Sequence, residues 1–276
     1  MKFPRLPHIP KLNPYYAGSA ALVAAAAVQL VVAVLADRRD LTSAGLVISA
    51  TVCLITGIFL AILSTSEPLD TRYVSRLPVQ GCINLCRVAA DLGIQGSGYF
   101  LPPGRDGRTR THLFLPVASL EKIPQAGESF AFGPGSAGML VEPSGASLYA
   151  EIRNRENMVI PSDIPAILSL LKETGEDVLE VSDKVTAEMS GDTVTVTMEN
   201  FRLIEGCTAM QAESPRCCQM VPCPVCSVFG TILAEGQGTI VTLERCIPDA
   251  GKKSVTAVFT LLPGDDGQPE VQVPVT

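Results

Sequence analysis

The 276-residue chain is poor in the side chains on which many enzyme active sites depend. It has two histidines and no tryptophan, and aromatic residues make up 5% of it. A nucleophile–His–Asp triad therefore has almost no imidazole to be built from, and the sequence contains no Gly-x-Ser-x-Gly motif. No glycine-rich loop leads into a helix carrying a lysine, which is the usual cradle for nucleotide phosphates. These absences argue against a triad hydrolase or a nucleotide-dependent enzyme.

Positive charge is scarce in most of the chain. From Leu77 onward there are 14 lysines and arginines against 24 aspartates and glutamates. Such a surface is repelled by phosphate backbones and by anionic lipid headgroups. The few aromatic rings also offer few platforms on which bases could stack. We therefore expect no nucleic-acid partner.

Two long apolar runs are the strongest feature of the sequence. Ala17–Ala36 and Ala44–Leu63 each extend for 20 residues without a charged side chain. As helices they would each span roughly 30 Å, the thickness of a bilayer's hydrocarbon core. A cleaved signal peptide is the alternative for the first run, and a pair of buried helices is the alternative for both. The sequence predicts a two-helix transmembrane hairpin over residues 17–63.

The connection between the two runs, residues 37–43, is only long enough to reverse the chain, so both flanks lie on one side of the membrane. Lysine and arginine in the flanks outnumber those in the connection by five to two: Lys2, Arg5, Lys11, Arg72 and Arg76 against Arg38 and Arg39. Because positive residues favour the cytoplasmic side, both termini are predicted to be cytoplasmic. The protein is thus expected in the cell membrane, with the lipid bilayer as a partner.

The remaining chain is long enough for one sizeable domain or two small ones. We predict an α+β fold in two subdomains, 79–175 and 176–264, with an N-terminal cytoplasmic arm (1–16), a linker (64–78) and a loose tail (265–276). The order of a helix with two cysteines, a glycine-containing break, a strand, a loop and a strand occurs at 81–116 and again at 223–263. This suggests an internal pseudo-duplication, with convergent α/β packing as the alternative.

Within the domain, apolar spacing predicts four helices, at 81–93, 144–155, 160–174 and 223–235. Ser144 and Ser162 are predicted N-caps, and Gly175 is predicted to end the third helix. Alternating patterns predict strands at 98–101, 111–117, 129–132, 138–142, 178–185, 193–199, 239–246 and 254–262. Residues 207–222 are predicted to be irregular.

Nine cysteines are present, and six of them lie between Cys207 and Cys246. Cys223 and Cys226 begin a predicted helix, where the positive end of the helix dipole lowers the pKa of a thiol. Such a pair could bind Zn²⁺ or an iron–sulfur cluster, cycle as a dithiol, or be buried without chemistry. We predict a metal site, with zinc as the candidate cofactor, at Cys218, Cys223, Cys226 and Cys246.

Residues 180–262 resemble the 4-vinyl-reductase-type domain, a small-molecule-binding α/β module. The similarity is carried by Met198-Glu199-Asn200, Cys223-Pro224-Val225-Cys226-Ser227, Gly236, the segment Ile240 to Cys246, and Phe259. In that family three cysteines bind zinc beside an acidic residue and next to an apolar effector pocket. Cys223 and Cys246 match two of these positions, whereas Ser254 stands at the third. Cys226, Cys217 or Cys218 would have to replace the missing ligand.

The whole chain also resembles an uncharacterised archaeal family of membrane-anchored proteins. The shared features are the paired spans, Gly98 to Pro102 with Thr111 to Pro116, and Leu140 to Ala146. This resemblance implies an archaeal origin and the same architecture, and it implies no activity.

Together these patterns favour a membrane-anchored, cytoplasmic and non-enzymatic sensor or scaffold. Its domain would hold a metal or a small apolar ligand near Cys223, Cys226 and Cys246. One alternative is a thiol-based redox enzyme that uses Cys223 and Cys226. The other is a purely structural module that binds a protein partner.

Overall fold

The computed structural model describes residues 14–35, 41–64, 70–104, 107–118, 120, 123–124, 129–131 and 135–262. It divides into two compact units, residues 1–69 and residues 70–276. Residues 1–13 of the predicted arm, the entire predicted tail, and residues 65–69 of the predicted linker lie outside the described part of the chain.

The first unit contains two apolar helices, α1 (Pro14–Leu35) and α2 (Leu41–Ser64), as the sequence predicts. The helices are in contact with each other. The Ser19 hydroxyl of α1 donates a hydrogen bond to the Gly57 carbonyl of α2 over 2.7 Å. A Cβ added at Gly57 would lie 2.9 Å from the Val23 side chain, so glycine permits this close approach.

Three segments of the described chain are long and apolar enough to cross a membrane: Ala17–Leu35, Thr42–Ile62 and Cys217–Gln237. Only 11% of each of the first two is buried, whereas 89% of the third is buried inside the second unit. The first two therefore expose apolar surface, and the third belongs to a protein core.

The second unit mixes helices with an antiparallel sheet. Its described helices are α3 (Thr71–Arg76), α4 (Val79–Asp91), α5 (Ala146–Arg155), α6 (Ile164–Glu173), α7 (Ile204–Glu213), α8 (Cys217–Met220) and α9 (Pro224–Gln237). Its described strands are β1 (Tyr99–Leu101), β2 (His112–Pro116), β3 (Phe130–Ala131), β4 (Gly138–Val141), β5 (Lys184–Ser190), β6 (Thr193–Glu199), β7 (Ile240–Asp249) and β8 (Ser254–Leu262).

All eight strands join one sheet in the order β3-β4-β2-β1-β7-β8-β6-β5, and every neighbouring pair is antiparallel. The join between β1 and β7 brings Tyr99 opposite Thr242. Strands from both predicted subdomains are therefore hydrogen-bonded to each other across this join.

Helix α9 forms the centre of the core. Every residue from Val225 to Ala234 is buried, and most of these side chains are apolar, with Ser227 and Thr231 as the polar exceptions. It packs on β1, β7 and β8 and also contacts α5 and α6. Pro224 occupies its first turn, and Gly238, with φ +61°, caps its C-terminus.

The alternation predicted for β6 is confirmed. Val194, Val196 and Met198 are fully buried, while the threonines between them are half-buried. The apolar face of this strand therefore joins the same core as α9.

The predicted linker contains a short helix, α3, which Asp70 caps by accepting a hydrogen bond from the backbone N–H of Arg72. Two predicted N-caps in the first half of the domain are wrong. Ser144 does not cap α5. Its hydroxyl donates to the Pro222 carbonyl instead, and Gly145 is the N-cap residue. Asp163, rather than Ser162, caps α6.

Two further predictions fail around the junction of the two halves. The chain does not stop at Gly175 but continues from α6 into a π-helical turn, Thr174–Val178, and β5 begins only at Lys184. Glycine is needed there for packing, because a Cβ would meet the Val185 side chain at 2.8 Å. The segment predicted to be irregular, 207–222, holds most of α7 and all of α8. Its apolar residues do not recur at helical spacing, so periodicity gives no signal there.

Replacement of Gly230 tests the packing of α9 on β1. A Cβ at Gly230 would lie 2.5 Å from the ring of Phe100, so Gly230→Ala should lower the free energy of unfolding by about 1–3 kcal/mol. Gly81→Ala in α4 is the matched control, because nothing lies near its Cβ position and alanine favours a helix by about 0.5–1 kcal/mol. Urea unfolding followed by circular dichroism measures both. Equal effects of the two changes would contradict the packing described here.

Candidate functional site

Cysteines from four elements meet at the N-terminus of α9. Cys223 is the N-cap residue of α9 and Cys226 lies in its first turn. Helix α7 supplies Cys207, α8 supplies Cys218, and β7 supplies Cys246. The first four are buried, and Cys246 is half-buried.

A β-bulge directs Cys246 into this group. In β7 the pairing register with β8 shifts between Leu243 and Arg245, with Glu244 as the extra residue. Val241 and Leu243 face the core before the shift, and strict alternation would then turn Arg245 inward. The bulge exposes Arg245 and turns Cys246 inward instead.

Four of these thiols lie close enough to shift one another's pKa, and we call them the thiol ring. Cys207 lies beside Cys223 and Cys246, and Cys226 lies beside the same two residues. Cys218 lies outside the ring and contacts Cys246 alone among the ring members. All four predicted ligands, Cys218, Cys223, Cys226 and Cys246, are thus brought together, and the prediction missed Cys207.

The ring divides its thiols into two kinds. Hydrogen bonds from Cys207 and Cys226 hold the pKa of Cys223 well below its usual range. Hydrogen bonds from Cys207, Cys218 and Cys226 likewise lower the pKa of Cys246. Hydrogen bonding to Cys223 and Cys246, followed by burial, raises the pKa of Cys207 and of Cys226. Cys223 and Cys246 are therefore the thiols of the ring that ionise more readily, and Cys207 and Cys226 are those that keep their protons.

The thiol ring is not a preformed metal site. In the part of the chain that the structure describes, no group of three or more His, Cys, Asp or Glu side chains is placed to hold a metal ion. The zinc site therefore stays a prediction. Thiolates are the ligands zinc prefers, so the ring has the right donor type without a ready position for the ion.

A cavity of about 550 Å³ borders the ring, and we call it the thiol cavity. It lies among α3, α4, α5, α7, the start of α9 and the chain following β6. Most of its lining is apolar, and it includes two members of the ring: Val74, Ser75, Leu77, Pro78, Val79, Ser144, Ser147, Leu148, Leu179, Val181, Phe201, Leu203, Gly206, Cys207, Met210, Cys223, Pro224 and Val225.

Glycines bring the cavity's helices together. A Cβ at Gly206 of α7 would clash with the carbonyl of Ser75 in α3. A Cβ at Gly145, before α5, would clash with the carbonyl of Pro224. At these two places the segments that form the cavity walls are so close that their backbones are in contact.

A second thiol pair lies next to the ring. The sulfur atoms of Cys86 in α4 and Cys217 in α8 are 2.7 Å apart. A hydrogen bond from Cys86 lowers the pKa of Cys217, and hydrogen bonding to Cys217, followed by burial, raises that of Cys86. The sequence pairs Cys86 with Cys82 on one helix face, and nothing in it indicates a partner 131 residues away.

The sequence also gives no sign of a buried carboxylate on α9. The Glu235 side chain is only 10% exposed. It accepts hydrogen bonds from the hydroxyls of Thr111 and Tyr149, at 3.0 and 2.5 Å, and pairs with Arg153 at 3.3 Å. Burial, and then the neighbouring Glu235, raise the pKa of Tyr149. Because both carboxylate oxygens are satisfied, Glu235 serves to join α9 to α5 and to the residue preceding β2.

Comparison with known families settles the relationship of the chain. The family model described as a domain of unknown function, DUF7982, matches residues 12–259. The protein belongs to the DUF7982 family. No curated protein and no solved structure matches the DUF7982 chain. The match spans both apolar helices, the thiol ring and all of the sheet except the last three residues of β8, so these features lie inside the family's domain.

Ionisation of Cys82 provides a test of the electrostatics around the ring. Burial, and then the charges of Cys223 and Cys217, raise the pKa of Cys82 to about 12. An unfolded chain loses this proton near pH 8.5, so the unfolded state releases it first as the pH rises. This contribution to stability is complete below about pH 8.5 and is lost toward about pH 12, with a slope of about 1.4 kcal/mol per pH unit.

The variant Cys82→Ala should therefore lose stability less steeply than the wild type between about pH 9 and pH 10.5. Urea unfolding of the full chain in detergent, repeated at several pH values, measures the two slopes. Cys53→Ala in α2 is the control and should keep the wild-type slope. Identical slopes for wild type and Cys82→Ala would show that Cys82 ionises in the folded domain as it does in the unfolded chain.

Proposed function

We propose that this DUF7982 protein is a membrane-anchored, non-enzymatic sensor that binds a small apolar molecule in the thiol cavity. The observation that carries the proposal is a mainly apolar space of about 550 Å³ whose lining includes Cys207 and Cys223 of the thiol ring. Sites for small molecules usually enclose about 300–1,000 Å³ and are lined mainly by apolar side chains.

The lining favours an uncharged, weakly polar ligand. The Ser75 hydroxyl donates to the Arg72 carbonyl, and the Ser144 hydroxyl donates to the Pro222 carbonyl. Two of the three serine hydroxyls in the lining thus donate their protons to the protein itself, and Ser147 supplies the third hydroxyl. A ligand with many hydrogen-bonding groups would leave those groups unpaired in the cavity, at a cost of about 1–3 kcal/mol each.

The same lining supports binding without catalysis. Among the described residues that surround the cavity there is no Asp, Glu, His, Lys or Arg. Acid–base chemistry needs such groups within hydrogen-bonding distance of the substrate. Cys207 and Cys223 offer instead polarisable sulfur atoms against which the ligand packs.

The absence of tryptophan from the chain permits a clean binding experiment. Leu77 lines the cavity at its rim, where it is 78% exposed, so Leu77→Trp introduces a single fluorophore with little disturbance. Bromobenzene is a suitable apolar probe, because bromine quenches tryptophan only at short range. We expect quenching of the full chain in detergent to saturate as bromobenzene is added.

Val159→Trp is the matched control, since Val159 is 83% exposed and does not line the cavity. Quenching at position 159 should rise linearly, reporting only probe dissolved in detergent. Val181→Phe, which fills part of the cavity, should abolish saturation at position 77. Indistinguishable linear quenching at positions 77 and 159 would overturn the proposal.

We also propose that α1 and α2 cross the membrane as an antiparallel hairpin, with the second unit in the cytoplasm. The support is their length, their exposed apolar side chains and the hydrogen bond between Ser19 and Gly57, which pairs polar groups that lipid could not. Protease added to inverted membrane vesicles should release the second unit, whereas protease added to intact cells should not. The reverse pattern would place the second unit outside the cell.

Zinc binding is the second candidate function, favoured by the meeting of Cys207, Cys223, Cys226 and Cys246. It requires the ring to open enough to admit the ion. Elemental analysis of the full chain, purified without chelator, separates the two candidates. One zinc per chain would favour the metal, and bromobenzene binding in a zinc-free protein would favour the apolar ligand.

The thiol-redox alternative is weaker on physical grounds. Reactive cysteines are usually partly exposed, whereas Cys223 and Cys226 are both buried. The interaction module, the 4-vinyl-reductase-type relationship and the archaeal origin stay predictions. The proposed pseudo-duplication is supported by the β1–β2 and β7–β8 hairpins, which lie side by side with β1 antiparallel to β7.

A further inference from the structure

Cys86 and Cys217 lie closer together than two thiols need to for a hydrogen bond. Their sulfur atoms are 2.7 Å apart, and a disulfide bond is about 2.05 Å long. Cys86 projects from α4 and Cys217 is the first residue of α8, so neither belongs to the thiol ring. The sulfur atoms need to approach by less than about 1 Å to form a bond.

The two consecutive cysteines of α8, Cys217 and Cys218, have different cysteine neighbours. Consecutive residues of a helix point about 100° apart. Cys218 accordingly contacts Cys246 of the thiol ring, whereas Cys217 contacts Cys86. The pair is therefore a separate dithiol with its own surroundings.

The pair borders a cavity through which an oxidant can approach. Cys86 is half-buried and Cys217 is buried, and both line this cavity of about 360 Å³, which is distinct from the thiol cavity. Arg87 and Glu213 form an ion pair at its edge, with side chains 63% and 42% exposed. A small oxidant could enter past this polar edge without unfolding the domain.

We propose that Cys86 and Cys217 are an oxidisable dithiol that a hydroperoxide converts into a disulfide bond between α4 and α8. The sulfur of one cysteine, as thiolate, attacks a peroxide oxygen. The S–O bond forms as the O–O bond breaks, which leaves a sulfenic acid and releases the alcohol, or water when the oxidant is hydrogen peroxide. The sulfur of the other cysteine then attacks the sulfenic sulfur, the S–O bond breaks, and a second molecule leaves as water.

The two sulfur atoms together lose two electrons, which reduce the peroxide bond, and the two thiol protons leave in the products. The product ties α4 to α8. The first residue of α4, Val79, lines the thiol cavity, so the bond fixes one wall of that cavity relative to the segment that carries Cys218. A reducing thiol reverses the reaction by exchange.

Peptide mapping of the full chain in detergent tests the proposal. After brief treatment with hydrogen peroxide, trypsin should yield the peptide containing Cys86 linked to the peptide that begins at Cys217. The first peptide also contains Cys82, and the second also contains Cys218, Cys223 and Cys226, so variants must assign the bond. Cys86→Ser and Cys217→Ser should each abolish the linked peptide, whereas the matched controls Cys82→Ser and Cys218→Ser should retain it.

The wild type should lose two reactive thiols in the denatured, alkylated protein and regain both after treatment with dithiothreitol. A linked peptide that persists in Cys86→Ser would overturn the proposal, as would peroxide treatment of the wild type that leaves these peptides unlinked. Cys86→Ser changes a half-buried side chain, and circular dichroism should match the wild type, which keeps its result interpretable.

Discussion

The burial of helix α9 organises the second unit of this protein. Every residue from Val225 to Ala234 is buried, including the polar Ser227 and Thr231, so the helix is enclosed on all sides. The sheet covers one side, and α5 and α6 contribute to the rest. Once α9 is fixed in this way, the residues at its first turn are fixed as well. Cys223 and Cys226 therefore lie at a rigid point of the fold.

The thiol ring and the thiol cavity both depend on that rigid point. The ring needs one residue from each of α7 and β7 and two from α9, and the β7 bulge is what turns Cys246 toward the other three. The cavity forms where the helices around α9 meet at glycine contacts and leave space above the ring. The thiol ring, the thiol cavity and the core of the second unit therefore all depend on the position of α9. A change that loosens α9 should affect both the thiol contacts and the shape of the cavity.

Local patterns in the sequence account for much of the fold. The apolar runs of α1 and α2, the spacing in α4 and the alternation in β6 reflect the solvent that each face meets, so they can be recognised without tertiary contacts. The helix α7 and the continuation through Gly175 could not be recognised, because packing against distant elements decides them. For the site, the cluster at Cys223, Cys226 and Cys246 could be proposed from spacing. Cys207 and the Cys86–Cys217 pair could not, since their partners are set by topology.

The antiparallel join between β1 and β7 has a consequence for the order in which the chain folds. The Thr242 hydroxyl donates to the Gly98 carbonyl, and these residues are 144 positions apart. Contacts of such high sequence separation form slowly, since a long loop must close before they stabilise anything. During synthesis, one edge of β1 stays unpaired until β7 has been made. An exposed strand edge can pair with strands of other chains and so promote aggregation. The nascent protein is therefore most vulnerable to aggregation between the emergence of β1 and that of β7.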